Sequence, residues 1–131
     1  MASYFDKLQA LQANAHAPYS QFRVAAILVM NDGTEVTGVN VENASYGGTI
    51  CAERSAFVSA ISQTGKTDQF ASIHLLAGKG DQFIMPCGMC RQVMSEFVAA
   101  DFPVFLYNTE GNSRQVTMAD LLPYAFSKDD L

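Results

Sequence analysis

All three cysteines of this chain fall in two short stretches, Cys51 in "ICAERSA" and Cys87 and Cys90 in "PCGMC". Apolar spacing predicts a helix from Ile50 to Ser62, ended by Gly65, and a second from Cys87 to about Ala99. Pro86 suits the first turn of that second helix, where its missing N–H costs nothing. Each thiol then lies near a helix start, where unpaired N–H groups and the helix dipole favour a thiolate. Cys87 and Cys90, three positions apart, share one helix face. An odd number of thiols argues against a disulfide framework. A fold that brings the two helix starts together makes a soft, anionic pocket suited to one Zn²⁺ per chain.

Three protein ligands leave the fourth tetrahedral position for water, which separates catalytic from structural zinc. His74 is expected in mid-strand and His16 in a loop, so neither has ligand spacing to the thiols. Glu53 lies two positions beyond Cys51. In a first helical turn both side chains lean back toward the N-terminus, so the carboxylate reaches the open position without binding the metal. A carboxylate there can take a proton from water and return it to a substrate. Arg54 follows at once. It either donates to thiolate sulfurs, offsetting the negative charge of three thiolates on one zinc, or is a solvated helix residue.

The rest of the chain supplies a scaffold. Helical spacing runs from Tyr4 to Ala15 and breaks before Pro18. Phe22 to Met30 reads as a buried strand, "NDG" as a hairpin turn and Thr34 to Val41 as its partner. Further strands are expected at Ala71 to Ala77, Pro103 to Tyr107 and Gln115 to Met118, with "GKGDQF" a loop and a short helix at Ala119 to Leu122. Hairpin, helix, strand, helix, strand is an α/β layered pattern with a mixed sheet. At 131 residues the chain is expected to form one domain, 1–131.

Charge narrows the partners. The net charge is −5 with a sequence pI of about 4.7, and no Lys/Arg cluster offers a footprint for a polyanion, so no nucleic acid is expected. The longest apolar run, "VAAILVM", is too short to span a bilayer, so no membrane partner is expected. The acids and glutamines of "MASYFDKLQALQ" do not resemble a secretory leader, and a cytoplasmic location is the expectation.

"CAE" with "PCGMC" resembles the signature of the zinc-dependent cytidine deaminase superfamily. The likeness continues through "YSQFRVAAIL", "GVNVENASYGGTICAERSA", "PCGMCRQVMSEF" and "LLPYAFS", in order and over essentially the whole chain. The three-Cys ligand set is similar to that of the short homotetrameric class. The resemblance implies a three-layer α-β-α domain with a mixed five-stranded sheet. It also implies hydrolytic deamination of cytidine and 2′-deoxycytidine to the uridine products with release of ammonia, as in pyrimidine salvage. Cys51, Cys87 and Cys90 take the ligand positions and Glu53 the acid/base position. Asn40 and Glu42 match residues that bond the ribose hydroxyls, and Phe22 one that packs on the pyrimidine. The backbone of Ala52 and of Cys87 matches groups that meet the polar edge of the base. Tyr46 and Phe126 match positions that complete a neighbouring subunit's site, so a homotetramer with shared sites is implied. One departure is Val24-Ala25-Ala26, where members commonly carry Val-Gly-Ala-Ala.

Four rivals stand beside this expectation. A deaminase of cytosine-bearing antibiotic nucleosides shares the zinc motif, but Asn40 together with Glu42 favours a ribose. Editing of cytosine in a polynucleotide is opposed by the acidic balance. A purely structural zinc module lacks its fourth ligand, and a dithiol redox site at Cys87 and Cys90 leaves Cys51 unexplained.

Overall fold

The run "VAAILVM" forms strand β1 (Val24–Met30), and it is apolar throughout because both of its faces are covered. Ala26, Leu28 and Met30 face one core, while Ala25 and Ile27 face the other. A computed structural model describes residues 2–78 and 80–131. In it β1 is joined by β2 (Glu35–Val39), β3 (Phe70–Ala77), β4 (Pro103–Tyr107) and β5 (Ser113–Thr117). The sheet order is β2-β1-β3-β4-β5, with β3 and β4 parallel and every other pair antiparallel.

Helix α1 (Tyr4–Gln12) covers one face through Leu8, with Tyr4, Phe5 and Leu11 at its margin. Helices α2 (Ala52–Thr64) and α3 (Gly88–Phe97) cover the other. There Phe57 is fully buried and meets Phe70, Phe97 and Phe102. A short α4 (Met118–Leu121) follows β5, its first turn closed by a reciprocal Thr117 and Asp120 cap. This is the expected three-layer α-β-α arrangement with a mixed five-stranded sheet. No helix among the described residues is long and apolar enough to cross a membrane.

Two features set the position of α2. Gly65 ends it at φ 70°, its N–H bonding the Ile61 carbonyl. Gly38 on β2 lies against its first turn, where an added Cβ would stand 2.3 Å from Ala52 O and 2.6 Å from Ala56 N. Only hydrogen fits there, and that close approach brings the start of α2 down onto the sheet.

Several expected boundaries move. The first helix stops at Gln12, not Ala15, because Asn14 and Ala15 turn back on Leu11 and Gln12 with tighter, 3₁₀-type bonds. Phe22 stands before β1, since the Asn40 side chain replaces a strand partner there. Pro86 is not in the first turn of α3; Cys87 takes the N-cap conformation, so the helix begins at Gly88. The loop expected at "GKGDQF" includes Lys79, which lies outside the described residues.

On the α1 face, His74 is buried, with its ring stacked on Tyr4 at 3.8 Å and on Phe105 at 4.7 Å. Its Nδ1 meets the Tyr107 hydroxyl at 2.8 Å. Burial lowers its pKa from 6.5 to about 4, against a weaker opposing pull from Glu35. The folded state thus resists a proton that the unfolded chain accepts below about pH 6.5. Stability is fully present above that pH and is lost as pH falls toward 4, by on the order of 3 kcal/mol. Urea unfolding at pH 7 and pH 4.5 checks this: His74→Phe loses less stability than the wild type over that interval. Equal losses would remove His74 as the cause.

Candidate active site

The sequence places thiols, not the usual Ser or Asp, at the N-caps of α2 and α3. Neither Cys51 nor Cys87 accepts a capping bond from a backbone N–H of its own helix, so both sulfurs are available to a ligand. Cys90 sits three residues after the Cys87 cap, where the N-cap side chain and that of the third helical residue converge beyond the helix end. The three Sγ atoms lie within 4.8 Å of one another, and Cys51 and Cys87 are 3.8 Å apart. Two sulfurs at roughly 2.3 Å from a tetrahedral zinc are about 3.8 Å apart. Donor type, number and spacing all fit one zinc ion, and the three thiols are positioned to hold it.

The sulfurs are unequal. A hydrogen bond with Cys90 lowers Cys51 to about 5, helped by Arg54 and Cys87 and opposed by burial. The same contact, then burial and the nearby Glu53, pushes Cys90 up. Arg54 turns toward the thiols: its Nη2 lies 3.5 Å from Cys51 Sγ and 3.3 Å from the Thr49 carbonyl. Its Nε is buried with no partner among the described residues. The solvated alternative for Arg54 therefore does not describe it. Arg91 fixes the approach to α3, since its Nε donates to Pro86 O and its Nη1 to Leu121 O, both at 2.7 Å.

Glu53 is the second residue of α2 and is 5% exposed. Burial raises its carboxyl above the ordinary range, and a bond from its own backbone N–H pulls the other way. It lines a cavity of about 410 Å³ together with Cys51, Cys87, Phe22, Asn40 and Glu42. Leu75, Ile84, Met85 and Pro86 are among the residues of its apolar wall. That volume suits a small molecule. A larger groove of about 900 Å³ runs past Gln12, His16 and Arg23 but contains none of the thiols and no Glu53. The chemistry lies in the smaller cavity.

The other expected residues divide. Phe22 packs against Gly78, where a Cβ would stand 2.9 Å from its ring. Asn40 is engaged at both ends of its amide: Oδ1 accepts from Val24 N–H at 2.9 Å and Nδ2 donates to Phe22 O at 2.8 Å. One N–H and one lone pair remain for a ligand. Glu42 accepts from the N–H groups of Tyr19 and Ser20, at 3.0 and 3.1 Å, and from the Ser20 hydroxyl. Ala52 opens α2 fully buried, its side chain off the cavity. Tyr46 and Phe126 do not line it either and are 71% and 56% exposed. Ser20, Thr49 and Met85 were not singled out as site residues by sequence. Only the position of Met85 beside "PCGMC" hinted at its place in the wall.

A zinc-ready trio of thiols beside a buried carboxylate, at two helix starts on a mixed sheet, defines the hydrolytic zinc deaminase class. Residues 2–106 match the family described as the cytidine and deoxycytidylate deaminase zinc-binding region. A cytidine deaminase of Halalkalibacterium halodurans is 45% identical over 125 residues, covering 94% of this chain and 92% of the relative. One from Mycobacterium tuberculosis is 43% identical over 123 residues, 91% and 84% of the two chains. The crystal structure of a Burkholderia pseudomallei cytidine deaminase superposes with a TM-score of 0.88 at 43% identity, over 96% of this chain and 100% of that one. This chain belongs to the cytidine and deoxycytidylate deaminase family.

Proposed function

We propose that the protein deaminates cytidine and 2′-deoxycytidine to uridine and 2′-deoxyuridine, releasing ammonia, a step of pyrimidine salvage. The observation that carries this reading is the composition of the cavity. Its charged lining residues, among those described, are Glu42 and Glu53, with no Lys or Arg. A 5′-phosphate would find no cation there, which favours the nucleoside over the nucleotide half of the family's range. The two halves are told apart by turnover of cytidine and of cytidine 5′-monophosphate. The expected kcat/KM for the nucleoside is at least about a hundredfold higher, the order of discrimination a mispaired charge gives. Equal or preferential turnover of the nucleotide would overturn the nucleoside reading.

Cys51, Cys87 and Cys90 would hold the zinc, which when bound would lower the pKa of a water toward 7. Glu53 accepts a proton from the attacking water and delivers it to N3 of the ring. It then takes the proton of the new C4 hydroxyl to the amine nitrogen, so C4–N breaks, ammonia leaves and C4=O remains. A carboxyl raised by burial holds a proton between these transfers more readily than an exposed one. Arg54 offsets the thiolate charge, and Phe22 packs on the base beside the N–H of Ala52 and the backbone of Cys87. Asn40, through its remaining N–H and lone pair, and Glu42 take the sugar hydroxyls.

The protein acts as a cytoplasmic homotetramer, a reading supported by three unbridged thiols and by large aromatic groups left exposed on the single chain. Tyr46 and Phe126 reach a neighbour's cavity in it. Sedimentation equilibrium at four chain masses is the expected result, and a fully active monomer the contrary one.

A further inference from the structure

Among the contacts that tie the segment before β1 to the loop after β2, one comes from a side chain that has no role in the chemistry above. The Ser20 hydroxyl donates to one Glu42 oxygen and accepts the Phe22 N–H at 3.0 Å. The other Glu42 oxygen is filled by the N–H groups of Tyr19 and Ser20. A carboxylate offers about four lone-pair sites, so one remains, on the oxygen that Ser20 holds. Gln21 between them sits in the left-handed region at φ 59°, uncommon for a residue with a side chain. Its flanks impose that conformation: Ser20 is fixed on Glu42, the Phe22 carbonyl on Asn40 Nδ2, and Gln21 N–H on the Ala17 carbonyl.

We infer that Ser20 is a positioning residue for sugar recognition, its hydroxyl aiming the last free lone pair of Glu42 into the cavity while fixing the backbone that carries Phe22. It rests on the proposed reading of Glu42 as the sugar acceptor. Ser20 lines the cavity, with its one donor and one of its two lone pairs committed inside the protein. The proton it donates to Glu42 is the contribution assigned to it. In Ser20→Ala both backbone N–H bonds to Glu42 survive, so the carboxylate stays in place but turns freely at its second oxygen. Affinity for the sugar hydroxyls then falls while the chemistry at C4 is left alone.

The test is calorimetric binding of uridine and 2′,3′-dideoxyuridine to the zinc-loaded protein, alongside cytidine turnover. The wild type prefers uridine. Ser20→Ala narrows that preference by about tenfold, the weight of one hydrogen bond to a charged group. It does so by weakening uridine while leaving dideoxyuridine within about twofold, raises KM for cytidine and holds kcat within about threefold. Ser20→Thr, which keeps the hydroxyl, keeps the preference. Equal weakening of both ligands marks a fold defect and overturns the inference, as does no change in either. Glu42→Gln separates the two levels. If it keeps the wild-type preference, or the wild type has none, the sugar reading of Glu42 fails and this inference with it. If Glu42→Gln loses the preference while Ser20→Ala keeps it, only the assignment to Ser20 is overturned.

Discussion

Glu53→Gln keeps its zinc and loses nearly all turnover. The amide has the shape of the carboxylic acid but cannot accept a proton at neutral pH. In the proposed mechanism Glu53 moves two protons, first from water to N3 and then from the C4 hydroxyl to the amine. A single positioned acid or base contributes about 10²–10⁴-fold, and a group used twice belongs at or beyond the upper end. Stability should move the other way or not at all. Burial already disfavours the charged carboxylate of Glu53, so a neutral amide removes that cost. The expected outcome is kcat down by about 10⁴-fold with one zinc per chain and an unchanged or higher melting temperature. Turnover within tenfold of wild type would remove Glu53 from the proton path.

Cys90→Ala should empty the metal site. Cys90 is fully buried, whereas Cys51 is half-buried and Cys87 exposed, so its sulfur is the one solvent reaches least. Loss of a hydrogen-bond partner to a metal ligand costs about 10–100-fold in affinity, and loss of the ligand itself costs more. Because metal binding also stabilises the folded state, the variant should melt lower than the wild type and gain little from added zinc. Metal analysis after dialysis reads the effect directly. Zinc well below one per chain is expected, with cytidine turnover lost in proportion. A full complement of zinc would mean that the metal is held elsewhere, and the three-thiol site would have to be abandoned.

The parts of the site legible in the sequence are those whose chemistry is encoded over a few residues. Cys51 with Glu53, and Cys87 with Cys90, are fixed relative to each other by a single helix turn, so their spacing announces a metal and a carboxylate. Strand β1 shows as an unbroken apolar run because it is covered on both faces, and the end of α2 shows in its left-handed glycine. Residues that act across the fold were harder to see. Nothing local says that Asn40 spends half of its amide's hydrogen-bonding capacity on the backbone of Phe22 and Val24. Ser20 meets Glu42 across 22 positions of chain. Gly38 looks like an ordinary strand glycine until the first turn of α2 is laid against it. Pro86 stands outside the helix for a related reason: the cap is Cys87, whose extended backbone delays the helix by a residue. Tyr46 and Phe126 are exposed on the single chain, Tyr46 edge-on to Tyr19, and neither lines the cavity, so their proposed role rests on the resemblance alone.

The proposed activity is zinc-dependent deamination of free cytosine nucleosides. Its most direct test adds the zinc-loaded protein to cytidine and follows the ultraviolet absorbance of the base together with released ammonia. A fall in absorbance matched mole for mole by ammonia, with uridine as the product, is the predicted result. A folded, zinc-loaded protein that leaves cytidine and 2′-deoxycytidine unchanged would contradict the account.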